Sequence, residues 1–199
     1  MAGAAPPLVL VHGLWDTPRL FRRLQQQLDG RRQPLLIPHL PHRLGTRSLE
    51  ELACLLSSRI EAAFGPDDAI DLLGFSMGGV VARTWIQLMG GHRRTRRFLS
   101  VGSPQQGTLL AQPLPPQWLA GIADMKLGSA LLQRLNSDPH VLQGIDCSSW
   151  FCSVDLMVVP GWRAVLPLGR QIRLPVLTHK QLILHPAALE PLVQELLRP

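Results

Sequence analysis

Ile70 to Val81, IDLLGFSMGGVV, decides how this chain is read. Ala69 to Leu73 has the make-up of a short buried strand, and Gly74-Phe75-Ser76-Met77-Gly78 that of a sharp turn. Val80, Val81, Ile86 and Leu88 then supply the apolar side of a helix, which Gly90-Gly91 stops. The turn fits G-x-S-x-G, a strand-to-helix bend in which serine occupies a strained position. Its neighbours two residues away on either side must lack bulk, and Gly74 and Gly78 do. The helix that follows aims free N–H groups back at Ser76, where negative charge would develop during acyl transfer. A bare G-x-S-x-G arises by chance, and a glycine-rich turn without chemistry is the alternative. The strand before the motif and the helix after it favour the chemical reading.

Working outward, Leu8-Val9-Leu10-Val11 is a fully apolar run, as expected of a strand buried on both faces, and it ends at His12-Gly13-Leu14-Trp15. Thr17-Pro18 starts a helix with Leu20, Phe21, Leu24 and Leu28 on one face. A second strand is expected at Pro34 to Ile37. Ser48 and Glu51 form a capping box for a helix that ends at Gly65-Pro66. After the serine turn, further strands are expected at Phe98 to Val101, Phe151 to Val154 and Gln171 to Val176, with a C-terminal helix starting at Pro186 or Pro191. Strands alternating with helices at this spacing specify a parallel α/β sheet in a single domain, residues 1–199. Gln105 to Asp146, broken by prolines, reads as a partial cap (105–146) with a short helix near Ser129 to Leu135.

The 199 residues are 46% hydrophobic and 17% charged, which suits a globular chain and excludes a disordered one. No run approaches the ~18 apolar residues of a membrane span. The start, MAGAAPPLVLVHG, lacks a positive n-region, so the expectation is a cytoplasmic protein or a mature form without its leader. Cys54, Cys147 and Cys152 lack metal-ligand spacing and are expected to be reduced and buried. No cofactor or metal is expected. The net charge of +6 comes almost wholly from arginine, densest at Arg93, Arg94, Arg96 and Arg97. A solvated loop is the plain reading of that cluster, and attraction to an anionic membrane surface the alternative. No nucleic-acid-binding motif or aromatic platform accompanies the charge.

A serine hydroxyl needs a base to take its proton, and the base needs an orienting carboxylate. Where such a serine turn belongs to a Ser–acid–His system on a parallel sheet, acid and histidine follow it in that order, each past the end of a strand. Ser76, Asp155 and His179 satisfy the order. His185 is the rival base, but it lies six residues further on and reads as a helix-start residue. Asp146 and Asp138 are rival acids, but both precede the expected strand. The backbone N–H groups of Met77 and Leu14 are placed to form an oxyanion hole. His12 reads as a brace for its loop. Leu14, Trp15, Met77, Trp118 and Leu131 are candidate apolar walls of a substrate pocket.

The blocks VHGLWDTP, GFSMGG, SVGSPQQGT, SVDLMVVP and LTHKQLILHP resemble those of the bacterial α/β-hydrolase lipases and esterases, above all the small, nearly lidless lipases. They fall in the family order over residues 8 to about 189. The resemblance implies an α/β-hydrolase fold, with about six mostly parallel strands, helices on both faces and a small cap. It also implies a Ser76–His179–Asp155 triad and an oxyanion hole from Leu14 and Met77. Lys180-Gln181 follow His179 where the family commonly carries small or apolar residues. The expected activity is a serine carboxylester hydrolase acting on acyl esters or lipids. The alternatives are a thioesterase or acyltransferase using the same three residues, and a non-catalytic protein that binds lipid surfaces.

Overall fold

The computed structural model describes residues 5–114 and 119–199. Six strands form one parallel sheet: β1 (Leu8–Val11), β2 (Leu35–Leu36), β3 (Ile70–Phe75), β4 (Thr95–Val101), β5 (Asp146–Phe151) and β6 (Arg170–Arg173). Their order across the sheet is β2-β1-β3-β4-β5-β6. The helices are α1 (Arg22–Leu28), α2 (Leu49–Phe64), α3 (Met77–Leu88), α4 (Ala120–Ala123), α5 (Ala130–Ser137), α6 (Gln181–Leu184) and α7 (Pro186–Leu197).

Alternation along the strands splits the interior in two. Val9, Val11, Ile70, Leu72 and Phe98 face α2, α3 and α5, while Leu8, Leu10, Leu73, Phe75 and Leu99 face α1, α6 and α7. That explains why β1 carries no polar residue at all: both of its faces are covered. After β1 the chain leaves for β2, on one side, and after β3 it leaves for β4, on the other. Diverging connections open a crevice at the carboxyl ends of the central strands, and such crevices are where ligands bind in open α/β sheets. Among the described residues no helix is long and apolar enough to cross a membrane.

The expected elements recur with some corrections. The Ser48–Glu51 capping box forms, and α7 starts at Pro186 with Pro191 inside it. β5 lies at Asp146–Phe151, several residues before the expected Phe151 to Val154. Two buried serines had disguised it. Ser149 Oγ accepts the Leu166 N–H at 2.9 Å and Ser148 Oγ accepts Trp150 Nε1–H at 2.8 Å, so their hydroxyls are satisfied inside the core. Cys147 and Cys152 are buried as expected, and burial pushes their thiols up to about 12 and about 11; Cys54 is exposed on α2.

Only part of the arginine cluster is a solvated loop: Arg93 is exposed in the turn before β4, and the other three are engaged. Arg96 and Arg97 lie in β4, where Arg96 pairs with the buried Asp71 and Arg97 donates to the carbonyls of Glu195 and Arg198. Arg94 donates to the Gly65 and Asp68 carbonyls. These charges close the amino edge of the sheet and tie down the C-terminus.

Arg83, on α3, is fully buried and pairs with no carboxylate among the described residues. Its guanidinium donates instead to the Leu135 carbonyl at 2.8 Å, Asn136 Oδ1 at 2.9 Å and the Gln105 carbonyl at 3.3 Å, and burial pulls it down to about 10. It therefore binds α3 to the end of α5. Arg83→Met should lower stability by about 2–4 kcal/mol, because buried acceptors lose their donor while the volume stays filled. Urea unfolding measures this directly, and a loss below about 0.5 kcal/mol would contradict it.

Candidate active site

Ser76 links β3 to α3 with φ 56° and ψ −131°, a left-handed conformation that a side chain adopts only under constraint. The constraint comes from close packing. A Cβ at Gly78 would overlap the carbonyls of Val11 and His12, and one at Gly79 would overlap the Ser103 hydroxyl. A Cβ at Gly13 would lie 2.9 Å from Ser76 Cβ, so glycine lets the loop after β1 press against the serine. The Ser76 N–H donates to the Val101 carbonyl at 2.9 Å.

Asp155 and His179 come together from the loops after β5 and β6. His179 Nδ1 lies 2.8 Å from Asp155 Oδ2. The other carboxylate oxygen accepts the N–H groups of Met157 at 2.8 Å and Val158 at 3.0 Å, which fixes the plane of the carboxylate. In the neutral imidazole a proton on Nδ1 suits the facing carboxylate and leaves Nε2 with a lone pair. Nε2 is buried and has no hydrogen-bond partner among the described residues. The imidazole sits on the Phe75 ring, with centroids 4.9 Å apart. Gly102, at φ 55°, makes room for it, since a Cβ there would lie 3.2 Å from His179 Cε1.

The rival residues sit elsewhere. His185 is the N-cap of α7, accepting the Ala187 N–H at 3.2 Å. Asp146 is the first residue of β5, at the amino edge, and pairs with Arg97, Arg170 and Arg198. Asp138 caps the end of α5. His12 is fully buried: its Nδ1 lies 3.0 Å from the Gly13 carbonyl and its Nε2 accepts the Leu40 N–H at 3.1 Å. Both nitrogens are occupied, and burial holds the imidazole below the ordinary histidine range. His12 is a brace.

Ser76 and His179 line a single cavity of about 300 Å³, together with Leu14, Trp15, Ile122 and Met157. The walls are mostly apolar, and the segment 105–146 contributes several of them, including Leu110 and Met125. Met77 and Leu131 are buried in the core beside it and do not line it; Trp118 lies outside the described residues. The backbone N–H groups of Leu14 and Met77 donate to no group among the described residues. At the mouth, Lys180 pairs with Asp16, joining the loops after β6 and β1.

Two features were not foreseen. The first is that ion pair, for which the unusual Lys180 was the available signal. The second is a rim. All nine large hydrophobic side chains that are exposed among the described residues, such as Trp15, Leu44, Leu110, Leu156 and Leu177, lie in loops that follow the carboxyl ends of strands. The cavity opens on that same edge.

The sequence model of the alpha/beta hydrolase family matches residues 8–198. Among curated proteins, the chain is 28% identical over 109 residues to the lysosomal thioesterase PPT2 of Mus musculus, covering 53% of this chain and 36% of that protein. The human protein gives 27% over 105 residues, so the match spans about a third of these relatives' length. Among solved structures, Bacillus licheniformis lipase BlEst2 in its mature form superposes with a TM-score of 0.75 at 15% identity, covering 99% of this chain and 94% of that one. Aspergillus fumigatus lipase B gives 0.77 at 15% identity, covering 99% and 54%. Paleococcus ferrophilus monoacylglycerol lipase gives 0.68 at 15% identity, covering 96% and 93%.

Proposed function

Because the chain belongs to the alpha/beta hydrolase family, we propose that it is a serine carboxylester hydrolase in which Ser76, His179 and Asp155 act together. The observation that carries this is the ordered Asp155–His179 pair, whose free Nε2 shares an apolar cavity with a serine held in a strained turn.

The chemistry runs in two halves. Ser76 Oγ attacks the ester carbonyl carbon while His179 Nε2 takes the hydroxyl proton, and Asp155 stabilises the imidazolium so formed. The carbonyl oxygen, now an oxyanion, is held by the Leu14 and Met77 N–H groups, each worth about 3–4 kcal/mol of transition-state stabilisation. The tetrahedral adduct collapses and the carbon–oxygen bond to the leaving alcohol breaks, the alcohol taking its proton from His179. Water then attacks the acyl-enzyme, giving its proton to Nε2, and Ser76 leaves reprotonated. Ser76 Oγ and His179 Nε2 are not hydrogen-bonded to each other in the free protein, and such contacts tighten when substrate is bound.

The segment 105–146 acts as a partial cap in this reading, because its residues close one side of the cavity. Leu14 and Trp15 provide further apolar wall, with Met77 and Leu131 supporting it from behind. An acyl chain suits such walls better than a charged acid does. Contact with aggregated lipid falls to the apolar rim, because Arg94, Arg96 and Arg97 are engaged within the protein.

A thioesterase is the second reading, favoured by the sequence match to the lysosomal thioesterases. The two are separated by comparing p-nitrophenyl esters of graded chain length with acyl-CoA of the same chains. We expect kcat/KM to be at least tenfold higher on the oxygen esters, because among the described residues the cavity wall offers the phosphates of CoA a single lysine or arginine, Lys180, already paired with Asp16. A tenfold preference for acyl-CoA would select the thioesterase.

A further inference from the structure

Among the described residues five non-glycine residues have positive φ: Trp15, Asp29, Arg43, Leu44 and Ser76. Asp29 merely ends α1. The other four cluster near the cavity, and three of them lie on two loops that meet: residues 12–16 after β1 and residues 39–45 after β2. Backbone strain gathered in one place points to a conformation the surroundings must hold.

One side chain joins the strained parts of these loops. His42 Nε2 lies 3.1 Å from the Trp15 nitrogen and accepts its N–H. Trp15, at φ 60°, directly follows Leu14. Beyond His42 the chain turns through Arg43 at φ 46°, Leu44 at φ 56° and Gly45 at φ 94°. A Cβ at Gly45 would lie 2.9 Å from Ile122 Cγ1 and 3.6 Å from Leu14 Cδ1, so this turn packs beneath two residues that line the cavity. The second tie between the loops, Leu40 N–H to His12 Nε2, anchors only their inner ends.

We propose that His42 is a positioning residue: its neutral imidazole, through the Trp15 N–H, holds the loop after β1 in the strained shape that points the Leu14 N–H into the cavity. This rests on the proposed role of Leu14 as an oxyanion donor.

Only a neutral imidazole can do this. A second proton would sit on Nε2 and face the Trp15 N–H donor to donor, and the strained residue would lose its tie. The groups around His42 are His39 on its own loop, His12 edge-on at 6.4 Å between ring centroids, and Asp16 on the opposite loop, with Lys180 behind Asp16; Arg43 follows it in the chain. Burial pulls the imidazole below the ordinary histidine range; the Asp16 backbone opposes this most, His39 adds a smaller downward push, and the Asp16 carboxylate a smaller upward one. The sign follows. The contact is intact above the ordinary histidine value, persists somewhat below it, and is lost as pH falls through the lowered value. The three histidines do not form a metal site, because both His12 nitrogens are already bonded to backbone.

The test is the pH dependence of p-nitrophenyl acetate hydrolysis by the full chain and two variants. In the wild-type protein log(kcat/KM) should fall on the acid side with a slope above one, because loss of the His42 contact adds a second proton-dependent step to that of the reaction itself. His42→Gln keeps an acceptor that does not titrate. It should restore most of the rate at pH 8 and reduce the acid slope to one. His42→Leu should lower kcat about 10–100-fold with KM changed less than twofold, as expected when a donor is misplaced by about 1 Å. A unit slope identical in wild type and His42→Gln would overturn the proposal, as would an unchanged kcat in His42→Leu.

A second measurement needs no substitution at His42 and no activity. In ¹H–¹⁵N spectra of Ser76→Ala, the Trp15 backbone amide should shift with the same midpoint as the His42 imidazole. A Trp15 amide that stays flat through that titration would overturn the proposal. If Ser76→Ala retained activity, the reading of the site would fail, while this spectrum would still judge the His42 contact by itself.

Discussion

Ser76→Ala should lower kcat on p-nitrophenyl esters by about 10⁴–10⁶-fold, leaving KM within a few-fold. Loss of the hydroxyl removes the attacking atom, and no neighbouring side chain can replace it in that strained turn. The residual rate comes from binding and the oxyanion donors alone. Stability should scarcely change, because no group among the described residues hydrogen-bonds to the Ser76 hydroxyl. Ser76→Gly sharpens the comparison. At φ 56° glycine relieves strain that serine and alanine share, so this variant should be more stable by up to about 1 kcal/mol and equally inactive. Stability that rises as activity vanishes would identify the turn as a place where function is maintained against the folding preference. A Ser76→Ala protein with an undiminished rate would exclude the nucleophile.

Asp155→Asn should cost about 10³–10⁴-fold in kcat near neutral pH. Asparagine keeps the shape, and its carbonyl oxygen can still accept the Met157 and Val158 N–H groups. Its amide NH₂ then faces His179 Nδ1, where the carboxylate had accepted a hydrogen bond. The imidazole must place its own proton on Nε2, and that tautomer cannot take one from Ser76. The fold should persist, because the backbone contacts survive. Asp146→Asn is the control. That residue lies at the opposite edge of the sheet among arginines, so kcat should stay within about twofold while stability drops. Equal kcat losses in both variants would contradict the assignment of the acid.

Several parts of this arrangement were legible in the sequence because they follow from backbone demands. The uninterrupted Leu8–Val11 run needs both faces covered, and the glycines around Ser76 are required by contacts closer than any Cβ allows. The order of Ser76, Asp155 and His179 followed from each lying beyond the end of a strand. What was not legible depends on partners distant in sequence. Arg96 and Arg97 look like surface charge until Asp71 and the C-terminal carbonyls are in place. Ser148 and Ser149 look like a loop until their hydroxyls find donors inside the core. Leu131 looks equally suited to pocket or core, and only packing against the α2–α3 layer decides for the core. His42 carries no sequence signal of its own, because its bond is to a backbone N–H, which no residue type announces.

The central claim is that Ser76 is activated by its surroundings. Treatment of the native protein with a fluorophosphonate, followed by peptide mapping, tests it most directly. The account predicts about one equivalent of label per chain, all of it on the peptide carrying Ser76, and a rate of labelling that collapses in His179→Ala. A folded protein that hydrolyses esters with Ser76 unlabelled, or with the label on another serine, would contradict it.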